Sequence, residues 1–270
     1  MTWTTLQRSR LSEHLWGWTG GCGPQLILIH GVGMQADYWS NLVPALGQHF
    51  SLLVVDLPGH GRSPMLASDS TTLQDYSSCI AELVNSVNKP VCIAGHSMGA
   101  TISVDLAHRF PDRVSAFVAL NGVFQRDKLA TKAVQERADS LDGFSTSDPS
   151  STLRRWFDGA SLGANTTAIE HCREFLTGID PLAYSQAYRA FAYDDGPSEA
   201  TLCAIKCPAL FATGGLEPNS TPAMSQAMAS LTPLGICQVV KNARHMMSMT
   251  HGKEVTALMV SFFRQAGIMS

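Results

Sequence analysis

Val91-Cys92-Ile93-Ala94-Gly95-His96-Ser97-Met98-Gly99-Ala100 begins as an apolar, β-rich run, meets a Gly-x-Ser-x-Gly pentapeptide, and continues from Thr101 to Arg109 with helical spacing. That succession is the strand, sharp turn and helix of a nucleophile elbow. The turn is expected to hold the serine backbone in a strained conformation. Gly95 and Gly99 remove the Cβ atoms that would clash as strand and helix close together. Ser97 Oγ should then stand at the end of a sheet, with the Met98 backbone N–H opening a helix N-terminus suited to developing negative charge. A bare Gly-x-Ser-x-Gly arises by chance in roughly one chain in ten of this length. Chance does not also supply the strand before it and the helix after.

The flanking sequence repeats the same rhythm. Upstream, Leu26-Ile27-Leu28-Ile29-His30 reads as a buried parallel strand running into His30-Gly31-Val32-Gly33, followed by helical spacing at Trp39, Leu42, Val43 and Leu46. Ser51 to Asp56 is a further strand, leading into Leu57-Pro58-Gly59-His60-Gly61-Arg62-Ser63, where Asp56 and Arg62 are expected to hold the loop together. A helix is predicted from about Thr72 to Asn88, with Thr71 or Thr72 as its N-cap. Leu11 to Trp18 reads as a first strand or hairpin, with a turn at Gly20 to Pro24. Downstream of the elbow, Val114 to Leu120 is another strand. The alternation predicts right-handed crossovers onto a mostly parallel sheet.

From about Val123 to Ala204 the strand rhythm disappears. Helical patterns take its place at Leu129–Leu141, Leu153–Phe157, Thr167–Leu176 and Pro181–Ala192, and strands resume at Pro208–Gly214 and near Gly235–Lys241. A last helix is expected from about Lys253 to Gln265. The predicted organisation is an α/β core of residues 1–122 and 205–270, with an inserted helical cap over 123–204.

Composition bounds the class. The chain has 270 residues, 45% of them apolar and only 15% charged, which favours a packed core over disorder. A net charge of −3 supplies no basic footprint for nucleic acid or for an anionic membrane. No run approaches the ~20 apolar residues of a membrane span, and Met1 to Gly21 lacks the apolar core of a secretory signal. The seven cysteines are scattered, and Cys203 and Cys207 are the only close pair, with no second pair to complete a zinc site. A reducing cytoplasm is the expected location. No P-loop or dinucleotide fingerprint appears, so the expected chemistry uses no cofactor, and the expected partner is a small-molecule acyl substrate. The sequence leaves room for a homo-oligomer.

A serine hydroxyl needs a base to take its proton and a carboxylate to orient that base. In this strand order both come later, on loops after late strands. His171 sits in the helical insertion, His251 at the start of the last helix, and His245 directly after the final strand, so His245 is the expected base. The loop after the Phe211 strand reads Gly214-Gly215-Leu216-Glu217-Pro218-Asn219, with Glu217 its only carboxylate. A relocated acid would stand at the end of the Val114 strand, which carries Asn121, with Asp127 farther on. The oxyanion hole is expected from the Val32 and Met98 N–H groups. An Asp at residue 97 would have suggested dehalogenase or epoxide chemistry, whereas serine points to acyl transfer to water.

Taken together, His30–Gly33, Asp56–Ser63, Gly95–Gly99, Gly214–Pro222 and Arg244–Met246 make the chain resemble α/β-hydrolase-fold serine hydrolases over nearly its whole length. Leu153-Arg154-Arg155-Trp156-Phe157 and Asp180-Pro181-Leu182-Ala183-Tyr184 are similar to 3-oxoadipate enol-lactonases. The first resemblance implies a twisted, mostly parallel sheet flanked by helices and hydrolysis of a small ester, lactone or thioester; the family usually has Asp where this chain has Glu217. The second implies a carboxylate-bearing substrate, with Arg154 or Arg155 beside Trp156 as a forked cation. Hydrolysis of C–C bonds in ring-cleavage products uses the same triad, and a non-catalytic ligand-binding relative is the reading of a different class.

Overall fold

The computed structural model describes residues 8–67, 70–146, 148–157 and 166–269. Eight strands form one sheet: β1 (Ser9–Arg10), β2 (Trp16–Gly21), β3 (Gln25–Ile29), β4 (Ser51–Asp56), β5 (Val91–His96), β6 (Val114–Leu120), β7 (Ala209–Gly214) and β8 (Gly235–Val240). The helices in chain order are α1 (Val43–Leu46), α2 (Leu73–Ser86), α3 (Met98–Arg109), α4 (Lys128–Asp139), α5 (Ser150–Phe157), α6 (Thr166–Gly178), α7 (Pro181–Ala192), α8 (Glu199–Cys203), α9 (Pro222–Leu231), α10 (Met247–Thr250) and α11 (Gly252–Gln265). Among the described residues, none is long and apolar enough to cross a membrane.

The spatial order is β1-β2-β4-β3-β5-β6-β7-β8. β1 and β2 pair antiparallel with each other, β2 pairs antiparallel with β4, and every other neighbour pair is parallel. The continuous apolar strands follow from burial on both faces. On β3, Leu26 and Leu28 join one core layer with Leu52, Val54, Cys92 and Phe263, while Ile27 and Ile29 join the opposite layer with Val55, Ile93, Phe117 and Phe211.

Register brings the strand ends to a common edge. Ile29 lies beside Gly95, His96 beside Leu120, and Leu120 beside Ala212. The residues that leave these carboxyl ends are therefore neighbours in space, and in open parallel sheets that edge is where ligands bind.

Two local features differ from the sequence expectation. Gly20 and Gly21 belong to β2, paired with Leu52 and Ser51, and do not form the expected turn. The Trp18 ring covers Gly20 where a Cβ would stand, so glycine is what lets the ring lie flat there. The helix α9 is absent from the sequence expectations, although Thr221 caps its Met224 N–H at 3.3 Å and Pro222 occupies its first turn, the usual signature of a helix start.

The elbow is tight. A Cβ on Gly95 would stand 1.8 Å from the Gly99 carbonyl oxygen, and one on Gly99 would stand 2.3 Å from that of Ile29. These are backbone obstacles that no rotamer change relieves. Gly95→Ala is therefore expected to cost more than ~3 kcal/mol, at the severe end of single substitutions. Urea unfolding of the variant, or its failure to accumulate in soluble form, checks this.

Asp56 anchors the front loop, as expected. Its carboxylate accepts from the Ala36 N–H (2.7 Å) and the Arg62 N–H (3.1 Å), and Arg8 Nε approaches it at 3.2 Å. Arg62 contributes through its backbone, while its side chain is exposed.

Candidate active site

Ser97 sits between β5 and α3 at φ 56°, ψ −117°, a left-handed backbone rare for a residue with a side chain. Its N–H donates to the Leu120 carbonyl at 2.9 Å, which pins the elbow to the end of β6. The loop from His30 to Gly33 presses against it: a Cβ on Gly31 would stand 2.9 Å from Ser97 Cβ. Glycine is what permits the loop to approach there. Met98, the first residue of α3, has no intrahelical acceptor for its N–H. Among the described residues no acceptor takes the Met98 or Val32 N–H.

His245 lies five residues beyond β8. Its Nδ1 is 3.2 Å from Glu217 Oε2, and Glu217 Oε1 accepts from the Asn219 N–H (2.8 Å) and the Ser220 N–H (3.3 Å). Burial alone would raise the Glu217 carboxyl, but the adjacent His245 imidazole and the two backbone donors outweigh it and hold the carboxyl below its usual range. The extra carbon of glutamate is taken up by this short loop, which Thr213 closes through its hydroxyl to the Ser220 carbonyl at 2.6 Å.

The His245 backbone is held as firmly as its ring. Its carbonyl accepts from Asn121 Nδ2 at 2.7 Å and lies 2.8 Å from His96 Nε2. Asn121 Oδ1 in turn accepts from the Gly214 N–H at 3.2 Å. One buried amide thus ties the loops of Glu217 and His245 together. Asn121 stands just past β6, where a relocated acid would have stood, and there it holds backbone, itself at φ 51°. Asp127, His251 and His171 all have other roles. Asp127 caps α4 through the Ala130 N–H (2.8 Å), His251 pairs with Thr250 Oγ1 (2.9 Å), and His171 packs near Phe175.

Ser97 and His245 open into one cavity of about 270 Å³, walled by Val32, Trp156, Tyr184, Tyr188, Phe191 and Met246 and by three arginines, Arg126, Arg137 and Arg155. Trp156 stacks on His245 with ring centroids 5.6 Å apart and planes 21° from parallel. Of the arginines singled out in the sequence, Arg155 lines the cavity and Arg154 does not; it is exposed, because one residue along α5 turns a side chain ~100° away. Just beyond His245, Met246 reaches the cavity, Met247 is buried in the core, and Met249 packs on Cys172 at 3.5 Å between sulfurs.

Sequence reasoning misses Arg137 and the Asn121 bridge. An arginine within a polar helix carries no signal of which way it points, and an asparagine at a strand end shows in sequence only as a missing charge. Three histidines, His30, His60 and His96, are also fully buried. Leu57 N–H donates to His30 Nε2 (2.9 Å) and Gly33 N–H to His60 Nε2 (3.0 Å), so both rings are neutral and brace the front loops. Among the described residues no cluster of His, Cys, Asp and Glu could hold a metal.

Known proteins resemble this chain in sequence and in fold. The profile described as "Alpha/beta hydrolase family" matches residues 26–258. An (E)-2-((N-methylformamido)methylene)succinate hydrolase of Acinetobacter baylyi is 38% identical over 245 residues, covering 88% of this chain and 90% of that protein. A pimeloyl-[acyl-carrier protein] methyl ester esterase of Methylococcus capsulatus is 39% identical over 104 residues, 38% of this chain and 39% of its own length. Among solved structures, the enol-lactonase from Burkholderia xenovorans LB400 superposes with a TM-score of 0.84 at 21% identity, covering 96% of this chain and all of that one (100%). A thermophilic esterase from Thermogutta terrifontis, solved with malate bound, gives 0.85 at 21% identity, covering 96% and 99%. At such identities the structural likeness speaks for the fold.

Proposed function

Because the chain belongs to the alpha/beta hydrolase family, we propose that it cleaves a small carboxylic ester, lactone or thioester through an acyl-enzyme formed on Ser97. The observation that carries this reading is that Ser97, on its strained turn, shares a cavity with a His245 ring whose Nδ1 is bound by Glu217.

His245 Nε2 takes the Ser97 proton as Oγ bonds to the acyl carbon, and the Val32 and Met98 N–H groups receive the oxyanion. Collapse breaks the bond to the leaving group, which departs with the proton from His245. Water, deprotonated by the same nitrogen, then attacks the acyl-enzyme. It releases the acid and restores the serine. Glu217 holds the imidazole in the Nδ1–H tautomer and offsets the charge of the imidazolium. The helices between β6 and β7 act as a cap that shapes the pocket.

The test is a panel of small esters, lactones and thioesters, with C–C-linked ring-cleavage diketones and the N-methylformamido methylenesuccinate acted on by the Acinetobacter relative included. Acid quenching during turnover should trap a mass increment equal to the acyl group, absent in Ser97→Ala. Turnover that survives Ser97→Ala would overturn the reading.

Asn121→Leu is a sharper probe of the loop bridge. It leaves the Gly214 N–H unpaired and one donor fewer on the His245 carbonyl, so kcat is expected to fall ~10- to 100-fold with KM little changed. Steady-state kinetics check the split, and a change confined to KM would remove Asn121 from the positioning of His245.

A further inference from the structure

We propose that the chain pairs with a second copy of itself along the open edge of β8, joining the two sheets antiparallel about a two-fold axis at Gln238. This concerns assembly and does not depend on the acyl-enzyme.

The two edges of the sheet differ. β1 is two residues long and one of them is Arg10, and both shortness and charge keep an edge from pairing. β8 has six residues, Gly235-Ile236-Cys237-Gln238-Val239-Val240, none of them charged and none a proline. Leu234, Ile236 and Val239 are exposed. From Pro218 to Val240, across α9 and β8, the chain carries no charged side chain.

The backbone shows which groups are open. The Leu234 carbonyl accepts from the Ala209 N–H (3.1 Å) and the Val240 carbonyl from the Gly215 N–H (2.9 Å), so the even-numbered residues of this strand face β7. Alternation turns Cys237 and Val239 the other way. Among the described residues, no hydrogen bond engages their N–H and C=O groups.

A second copy is the occupant that these features fit. Outward N–H and C=O groups are satisfied by another strand, and the copy brings one already extended with the same spacing. Antiparallel pairing about Gln238 sets Cys237 against Val239 of the second copy, and Val239 against its Cys237. Each pair then exchanges both hydrogen bonds. Ile236 and Val239 lose water on opposite faces of the joined sheet.

Charge supports self-pairing. Each copy carries a net −3, and like-charged molecules meet most easily on a face without charge. Lys241, just beyond the strand, falls about 20 Å from its copy in this register, well outside the screening length of about 8 Å. Sliding the register toward Lys241 would bring the two ammonium groups together. The uncharged helix α9 packs on β7 and β8 and comes beside its copy across the axis.

Sedimentation equilibrium at micromolar concentrations is expected to give twice the mass of one chain. Val239→Pro removes an outward N–H without touching the ladder to β7, and Val239→Lys puts like charges near the axis. Each should raise the dimer dissociation constant by about tenfold or more. Leu129→Lys, an exposed apolar residue away from this edge, should leave it unchanged. Thermal unfolding of each variant separates lost pairing from a lost fold.

The register has its own test. In a Cys237→Ser background, Gln238→Cys sets two thiols opposite each other at the axis with ~4.5 Å between Cα atoms, a span that a disulfide bridges. Mild oxidation should yield a covalent dimer. Two native Cys237 residues would stand about 8 Å apart, too far to be bridged. A wild type that stays monomeric overturns the proposal and leaves the edge to a strand of another protein. A dimer that survives both Val239 variants puts the interface elsewhere and overturns it too. Cross-linking through Cys237, with none through Gln238→Cys, refutes the two-fold at Gln238.

Discussion

Glu217→Gln is expected to slow acylation of Ser97 by about 10³- to 10⁴-fold while leaving the fold intact. The reason lies in how the carboxylate is held. Oε1 already accepts two backbone N–H groups, from Asn219 and Ser220. A glutamine would keep its carbonyl oxygen there and turn its amide N–H₂ toward His245 Nδ1. That nitrogen would have to become the acceptor, the proton would move to Nε2, and Nε2 could no longer receive the Ser97 proton. The negative charge that supports the imidazolium would be lost as well. Second-order labelling rates from intact mass, with thermal unfolding of both proteins as the control for folding, check this. A glutamine variant that labels at the wild-type rate would place the acid elsewhere.

The second large effect is on stability. Between about pH 6.5 and pH 4 the unfolding free energy is expected to fall by up to ~4 kcal/mol per pH unit, the slope of three protons taken up on unfolding. Burial lowers His30 and His96 well below the ordinary value of 6.5 and lowers His60 to about 4. For a group whose folded pKa is depressed, the unfolded chain takes the proton first. Its stabilisation is thus complete above 6.5 and is lost as the pH falls toward the folded value. The shift of His60 alone corresponds to about 3 kcal/mol. Geometry supports the sign, because the Nε2 atoms of His30 and His60 accept backbone N–H bonds that protonation would destroy, and His96 Nδ1 is buried with no partner to take a proton's hydrogen bond.

Glu217 acts in the same direction lower down, its carboxyl being held below the usual range, whereas burial raises Asp56 and makes it act in the opposite sense. Urea unfolding at pH 7.5, 6 and 5 measures the slope. A free energy that stays flat across this range would contradict the neutral, buried histidines.

Much of the architecture is legible in the sequence because its signals are local. Buried parallel strands show as unbroken apolar runs such as Leu26–Ile29, and the elbow shows as two glycines flanking a serine between a strand and a helix. The order of Ser97, Glu217 and His245 along the chain follows once the late strands are placed. What the sequence conceals depends on contacts between distant segments. Asn121 bridges residues 93 and 124 positions away. The buried histidines each brace a different loop. The direction in which Arg137, Arg154 and Arg155 point depends on how α4 packs on α7 and α5 on α6, which no single-sequence pattern encodes. Gly20 and Gly21 mislead for the opposite reason: glycines usually break strands, but here a tryptophan ring and a neighbouring backbone require them.

The most direct test of an activated serine is intact mass after treatment with a small fluorophosphonate, on wild type and on Ser97→Ala. One probe per wild-type chain is predicted, located on Ser97, and none on the alanine variant. Labelling that persists in Ser97→Ala, or a folded wild type that takes up no probe, would contradict an activated serine at the centre of this site.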